Sequence, residues 1–311
     1  NKTGSAIGNQ LLLTINTAEA GSRATSGTNL KAGTDDNAES QVNRLTVGVF
    51  DGTTTGNPVR IIQEYTLDGS NKFIQSGSTT TTATVTTTSL AANDEVLVAV
   101  NAPTGLFSGV LKLSDFVKSI NSDRALATSW DATNKQDAAA GTTEATNNIP
   151  IYGESSITYK DGSYSSIVPV LHQVAKVTVV SVGVDFDPNG PYKDATFQPT
   201  AFFLTNVPDN LNFAKAAATG SSTLYQGGDN ADATTYKAYL GTGDLGTTYT
   251  ALKGVKGATT ASVDINKFFY TMPNSVVANN TKLVIKGTFD PDGKGTSTST
   301  VFYPVNINWQ S

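Results

Sequence analysis

The stretch Asn9-Gln-Leu-Leu-Leu-Thr-Ile-Asn-Thr-Ala-Glu-Ala-Gly-Ser-Arg-Ala-Thr-Ser-Gly-Thr28 decides how the rest of the chain is read. Its first half alternates, with Leu11, Leu13 and Ile15 on one face and Leu12, Thr14 and Asn16 on the other, which is the pattern of a half-buried strand. Its second half is a run of small residues around Arg23, followed by Ala24. Burial of three aliphatic side chains stabilises a strand by roughly 1.5–3 kcal/mol each. A cut at Arg23 would leave the strand held by contacts of that size and by its ladder. Its departure would open a hydrophobic groove and an unpaired sheet edge for another extended segment. Two readings stay open on this stretch alone: a removable strand, or an ordinary first strand followed by a loop.

Composition bounds the alternatives. The chain has 311 residues, with 38% hydrophobic and 15% charged residues and a net charge of −5. That length suits two medium domains, and the apolar content suits a packed core. No Lys/Arg cluster occurs, so nucleic acid is not an expected partner. Cysteine is absent, which removes disulfides and thiolate chemistry. No apolar run reaches the roughly 20 residues of a spanning helix, and no signal peptide is present, so the chain is expected to start mature or trimmed.

Outward from the first strand, Asn29–Glu39 is a polar, acidic linker. Val42–Phe50 alternates Leu45, Val47 and Val49 with Arg44, Thr46 and Gly48, and Asp51-Gly52 closes it as a turn. Arg60–Leu67 and Lys72–Gln75 are expected to form a hairpin around Asp68-Gly69. Thr79–Thr88, nearly all threonine, reads as an exposed strand. Val96–Val100 reads as a central strand ended by Asn101–Gly105. Ser114–Asn121 is a helix with Ser114 as its N-cap and Phe116, Val117 and Ile120 as its apolar face. Asp131–Asn148 is a loop. Ile149–Tyr159 and Tyr164–Val180 return to strand, and a long strand from Val168 to Val184 marks a domain boundary near Ser166. Thr196–Asn206, Ile265–Met272, Lys282–Phe289 and Val301–Trp309 are further strands. Val207-Pro208-Asp209-Asn210 and Asp290-Pro291-Asp292-Gly293 are turns, and Gly220–Gly257 is irregular. Short strands at this spacing argue for sandwiches.

Chemical motifs are weak. Gly241-Thr-Gly-Asp-Leu-Gly246 matches a dinucleotide fingerprint without the helix it needs. Gly293-Lys294 fails as a phosphate loop. Asp185-Phe-Asp-Pro-Asn-Gly190 opens like a calcium loop, but Thr196 stands where a bidentate Glu belongs. His172, the sole histidine, lies in a strand with no G-x-S-x-G in the chain. No metal, no cofactor and no catalytic residues are expected. The four arginines are Arg23, Arg44, Arg60 and Arg124. Arg44 and Arg60 fall in strands and Arg124 follows a helix. Arg23 therefore offers an arginine-specific protease its favoured site.

In order, Leu11–Ile15, Ser22-Arg23-Ala24, Glu39–Phe50, Leu97–Asn101 with Thr104-Gly105, Val168–Val184 and Phe302–Ile307 resemble the FimA-type major fimbrillins, the type V pilins of Bacteroidales-type bacteria. The resemblance implies a mainly all-β fold of two tandem transthyretin-like, Greek-key β-sandwich domains with one or two short helices. It divides the chain into a removable strand and cleavage loop over 1–23, a first domain over 24–166 and a second over 167–311. It implies a fimbrial subunit with a role in adhesion, exported to the outer membrane as a lipoprotein precursor. An arginine-specific protease would cut between Arg23 and Ala24, and polymerisation with other pilin subunits would follow by donor-strand exchange. Asn1-Lys2 resembles the residues after a lipid-bearing cysteine. Groove walls are expected from apolar strands such as Leu45–Phe50. The chain departs from the family in stopping at Trp309-Gln310-Ser311, where fimbrillins continue into a further strand and a donor tail. The alternatives are a tip or accessory subunit of the same pili that binds a host protein or glycan, and a secreted β-sandwich enzyme. Accessory or anchor pilins and host receptors join the expected partners.

Overall fold

The computed structural model describes residues 9–17, 41–76, 80–102, 104–120, 151–173, 175–208, 224–225, 244–245, 249–271 and 280–307. The fold is all-β, as expected. The first part comprises β1 (Gln10–Asn16), β2 (Arg44–Phe50), β3 (Val59–Thr66), β4 (Phe73–Ser76), β5 (Thr80–Thr86), β6 (Glu95–Val100), helix α1 (Leu113–Ile120), β7 (Ile151–Ser156), β8 (Thr158–Lys160) and β9 (Ser163–His172). These strands hydrogen-bond in the order β3-β2-β6-β7-β9-β1-β5-β4, with β8 added to β9. The sheet folds over on itself. Leu45, Val47 and Val49 of β2 and Val96, Val98 and Val100 of β6 share one buried cluster with Leu11, Leu13 and Ile15 of β1 and Val168 and Val170 of β9. Tyr65 on β3 closes the fold by donating its hydroxyl to the Thr84 carbonyl on β5 at 3.2 Å.

Burial pushes the Tyr65 hydroxyl up from the ordinary 10 to about 12. The folded chain therefore keeps a proton that the unfolded chain loses between those values. Stability should be full below pH 10 and fall as pH rises through that window. Urea unfolding followed at stepwise higher pH checks this, and Tyr65→Phe should remove that part of the slope.

The β2–β6 layer is apolar on both faces. On the side away from β1, Phe50, Leu97 and Ala99 pack with Phe107 and Phe116, whose rings stack with centroids 4.0 Å apart. The helix that brings in Phe116 starts two residues earlier than Ser114 as N-cap suggests. The Lys112 carbonyl accepts from Asp115 and Phe116, so Lys112 is the N-cap, and Leu113 N–H donates to the Asn57 carbonyl. Pairing of Lys112 with Pro58 fixes the entry point, which overrides capping preference.

Three further expectations fail for one reason, that sequence alternation does not name a strand's partner. β3 and β4 are not a hairpin: β3 pairs with β2 and β4 with β5, at opposite ends of the order. The threonine strand is open on one face only. β5 buries Thr81, Ala83 and Val85 and is flanked by β1 and β4. The long strand from Val168 to Val184 is two strands. β9 ends at His172 against β7, and the Gln173 side chain turns back to donate to the Leu171 carbonyl at 2.7 Å.

After that break come β10 (Ala175–Gly183), β11 (Thr196–Thr205), β12 (Val207–Pro208), β13 (Leu224–Tyr225), β14 (Asp244–Leu245), β15 (Leu252–Lys253), β16 (Ser262–Thr271), β17 (Lys282–Asp290) and β18 (Ser299–Asn306). β10 pairs with β16, and β14, β11, β17 and β18 form a second sheet with β15 on β11. Val207 and Pro208, expected in a turn, pair with β13 instead; Asp209 and Asn210 lie outside the described residues. Phe197, Phe202, Leu204, Leu252, Ile265 and Val284 are among the residues of this part's core.

Close approach requires a glycine at position 153. Gly153 on β7 faces β9, and a Cβ there would lie 2.2 Å from the Pro169 carbonyl oxygen. Gly153→Ala should therefore cost about 1–3 kcal/mol, read as a lower urea midpoint.

Candidate functional site: the slot around the first strand

β1 is an interior strand. All seven of its residues pair antiparallel with β5, from Gln10 opposite Thr86 to Asn16 opposite Thr80. On its other side Leu11 to Asn16 pair parallel with Tyr164 to Pro169 of β9. Outside the ladder, Thr87 N–H donates to the Asn9 carbonyl at 3.0 Å. Leu11, Leu13 and Ile15 are fully buried, and Thr17 continues that face at 1% exposure. Leu12, on the opposite face, is 54% exposed. The strand thus fills a slot whose walls are β5 and β9 and whose floor is the opposite layer, with Leu45, Val47 and Val49 in the same cluster.

β2, expected as a wall of the groove, is part of its floor instead: it packs in the same cluster as β1 but pairs with β3 and β6. The walls were not legible. β5 hides in a threonine run, and the part of β9 that pairs with β1 begins before the long apolar stretch. The burial alternation of Thr81, Ala83 and Val85 is the signal that marks β5 as a wall. Loss of β1 would unpair two strands, β5 and β9, rather than a single edge. Both would then present free N–H and C=O groups facing each other across one strand's width, a geometry that another strand satisfies on both sides.

Arg23 and Ala24 lie outside the described residues, as does Arg124. Arg44 and Arg60 are both in strands, as expected. The Arg44 side chain donates to the Ala102 carbonyl. Arg60 forms an ion pair with Asp94, with Nε 2.6 Å from Oδ2 and Nη2 donating to Oδ1 at 2.9 Å. Nη2 also lies 3.2 Å from Asp51 Oδ2. The Thr53 hydroxyl and amide, with Thr54, hold the Asp51 carboxyl well below the usual carboxylate range. The cluster anchors the loop after β2 and the turn before β6, through Asp94 contacts to Gly52 N–H and Ala91 N–H.

The remaining motifs have structural uses. Asp185 accepts the Lys256 amide and Asp187 the Asn189 amide. Asp244 and Leu245 of the glycine motif pair with β11. Asp290 accepts the Gly295 amide at 2.7 Å, in the turn containing Gly293-Lys294. Among the described residues no group of three or more His, Cys, Asp or Glu is placed to hold a metal ion.

The architecture is therefore an all-β chain whose N-terminal strand occupies the interior of a folded-over sheet. Two solved structures share this fold over nearly the whole chain. One is described as a "putative cell adhesion protein" from Bacteroides eggerthii, with a TM-score of 0.54 and 19% identity over 96% of this chain and 79% of that one. The other has the same description and comes from Parabacteroides distasonis, with a TM-score of 0.57 and 15% identity over 98% of this chain and 82% of that one. No family model and no curated protein matches the chain.

Proposed function

We propose that the chain is a structural subunit of a bacterial surface fimbria that acts in adhesion and assembles by donor-strand exchange after cleavage between Arg23 and Ala24. The observation that carries this reading is the position of β1, with its apolar face fully buried and ladders on both sides. A strand so placed, once cut free, leaves a slot that selects a replacement by hydrogen bonding along two walls and by alternating apolar side chains. The fold shared with two proteins described as cell adhesion proteins supports a surface role.

In this reading the chain works without catalysis. Its partners are other subunits of the same kind, an arginine-specific maturation protease, accessory or anchor pilins and host receptors. The precursor is held at the outer membrane as a lipoprotein, and the mature subunit is part of the cell-surface fimbrium. The chain is organised as a removable segment over 1–23 followed by two sandwiches, expected over 24–166 and 167–311. β9 runs on to His172 within the first sheet, so the change of ladder partners at β10 supports a junction after His172 rather than at Ser166.

Limited digestion with an arginine-specific protease, read by N-terminal sequencing and electron microscopy, tests this reading. The expected result is a new N-terminus at Ala24 on a folded body, followed by filaments once subunits carrying a donor segment are added. Cleavage elsewhere with Arg23–Ala24 intact would count against it.

A further inference from the structure

The outer edge of β3 is paired at both ends and open in the middle. Asn101 N–H donates to the Arg44 carbonyl, so even-numbered residues of β2 turn their backbone groups to β6 and odd-numbered ones to β3. The register sets Leu45 opposite Tyr65, Val47 opposite Gln63 and Val49 opposite Ile61. Ile62, Glu64 and Thr66 therefore point N–H and C=O away from the sheet. Thr66 N–H donates to the Asn71 carbonyl at 3.1 Å. At the other end Val59 N–H donates to the Leu111 carbonyl at 2.8 Å, and Pro58 bridges Lys112 antiparallel. Among the described residues no backbone pairs with Ile62 or Glu64 on that side. The gap is roughly 20 Å of strand, room for about five residues. A groove of about 460 Å³ runs beside it, lined by Val59, Ile61, Ile62, Phe107 and Val110, with Glu64 as its charged residue. Ile61 packs on one core cluster and Ile62 on the other, so a groove touching both straddles the strand edge. Gly105 N–H donates to Glu64 Oε1 at 2.8 Å and holds the carboxylate in place.

We propose that this groove takes an extended segment of a partner protein, antiparallel to β3, with a lysine or arginine two residues before an aliphatic residue. Each part of that description comes from a feature of the groove. The outward N–H and C=O of Ile62 and Glu64 call for a backbone in strand form, since a strand meets them in register. Antiparallel is the direction Lys112 already takes beside Pro58, and it lets one partner residue exchange both hydrogen bonds with Ile62. The side chain of that residue falls on the Ile62 face, beside Val59, Phe107 and Val110, where an aliphatic group loses its contact with water. The residue two places earlier falls opposite Glu64, where a cation meets the carboxylate. Lys72 and Lys112 pair at the two ends of the gap and do not line the groove. A net charge of −5 attracts a basic segment and disfavours a second copy of the chain. The groove is complete with β1 in its slot, so the proposal does not rest on that strand being removable.

An amide NMR titration of the intact, uncut, isotope-labelled chain with the peptide Thr-Lys-Thr-Val-Thr, up to millimolar concentration, tests the proposal. The largest shifts are expected at Ile62 and Glu64. Replacing the peptide lysine by glutamate should weaken binding by roughly two- to fivefold, and Glu64→Lys in the chain should reverse that preference. Methylating the valine nitrogen should remove binding, because that N–H donates to the Ile62 carbonyl. Shifts confined to other residues, uptake of the methylated peptide, or equal binding of the lysine and glutamate peptides would overturn the proposal. Shifts at Ile62 and Glu64 on concentrating the chain without peptide would assign the groove to a second copy and overturn it too. Because the chain stays uncut, these outcomes are independent of whether Arg23 is a processing site.

Discussion

Leu13→Ala is expected to lower the stability of the first part of the chain by about 2–5 kcal/mol. Leu13 is fully buried in β1, opposite Ala83 on β5 and Ser166 on β9. Ladders on both flanks hold the backbone, so the cavity left by the lost atoms has little room to collapse, and the cost belongs in the upper part of that range. Leu12→Ala is the matched control. It removes the same atoms from the same strand on the open face and should change stability by no more than about 0.5 kcal/mol. Urea unfolding of the two variants measures the difference. Amide exchange over Leu11–Ile15 should also accelerate in Leu13→Ala, since the side chain that anchors the strand is gone. If β1 is the releasable element, Leu13→Ala should also free it more readily after cleavage.

The second large effect is expected at Arg60. Asp94 is fully buried, and Arg60 is the cation against it. Arg60→Ala leaves the Asp94 carboxylate buried with amide donors alone, a loss of about 3–5 kcal/mol. Asp94→Ala should cost less, because Arg60 keeps Asp51 at 3.2 Å and partial access to water. The double variant should recover part of the Arg60→Ala loss, since no uncompensated buried charge remains. Thermal unfolding of the three variants yields the coupling. Equal losses for the two single variants, with no recovery in the double, would show that the pair matters for packing rather than for charge.

The sequence was most legible where burial has a period. Leu11, Leu13 and Ile15 alternate, and so do Leu45, Val47 and Val49; both sets lie in the core. Val96–Val100 reads as a central strand, and β6 lies between β2 and β7. Pairing was less legible. Asp68-Gly69 is a good hairpin turn, yet the sheet folds over, so β3 and β4 reach its opposite ends. The apolar run from Val168 to Val184 is continuous as a string, but its partner changes after His172. Threonine supplied the hardest case. Thr81 and Thr82 have the same chemistry, and only the three-dimensional neighbours put one against the core and the other on the surface. The site followed the same rule. The strand in the slot announced itself through three aliphatic residues, whereas its walls, β5 and β9, are made by long-range pairing that no local pattern encodes.

Strand replacement shows directly whether β1 can be exchanged. The chain is cut by an arginine-specific protease and mixed with a fluorescent peptide of residues 9–17, and anisotropy and native mass spectrometry follow uptake. The peptide is expected to enter the slot in place of β1, with one peptide bound per body. A peptide carrying Leu13→Asp should fail to enter, because it would bury a carboxylate against Leu45, Val47 and Val49. A cut chain that keeps its own strand under excess peptide, or that takes up both peptides equally, would contradict the claim that β1 occupies an exchangeable slot.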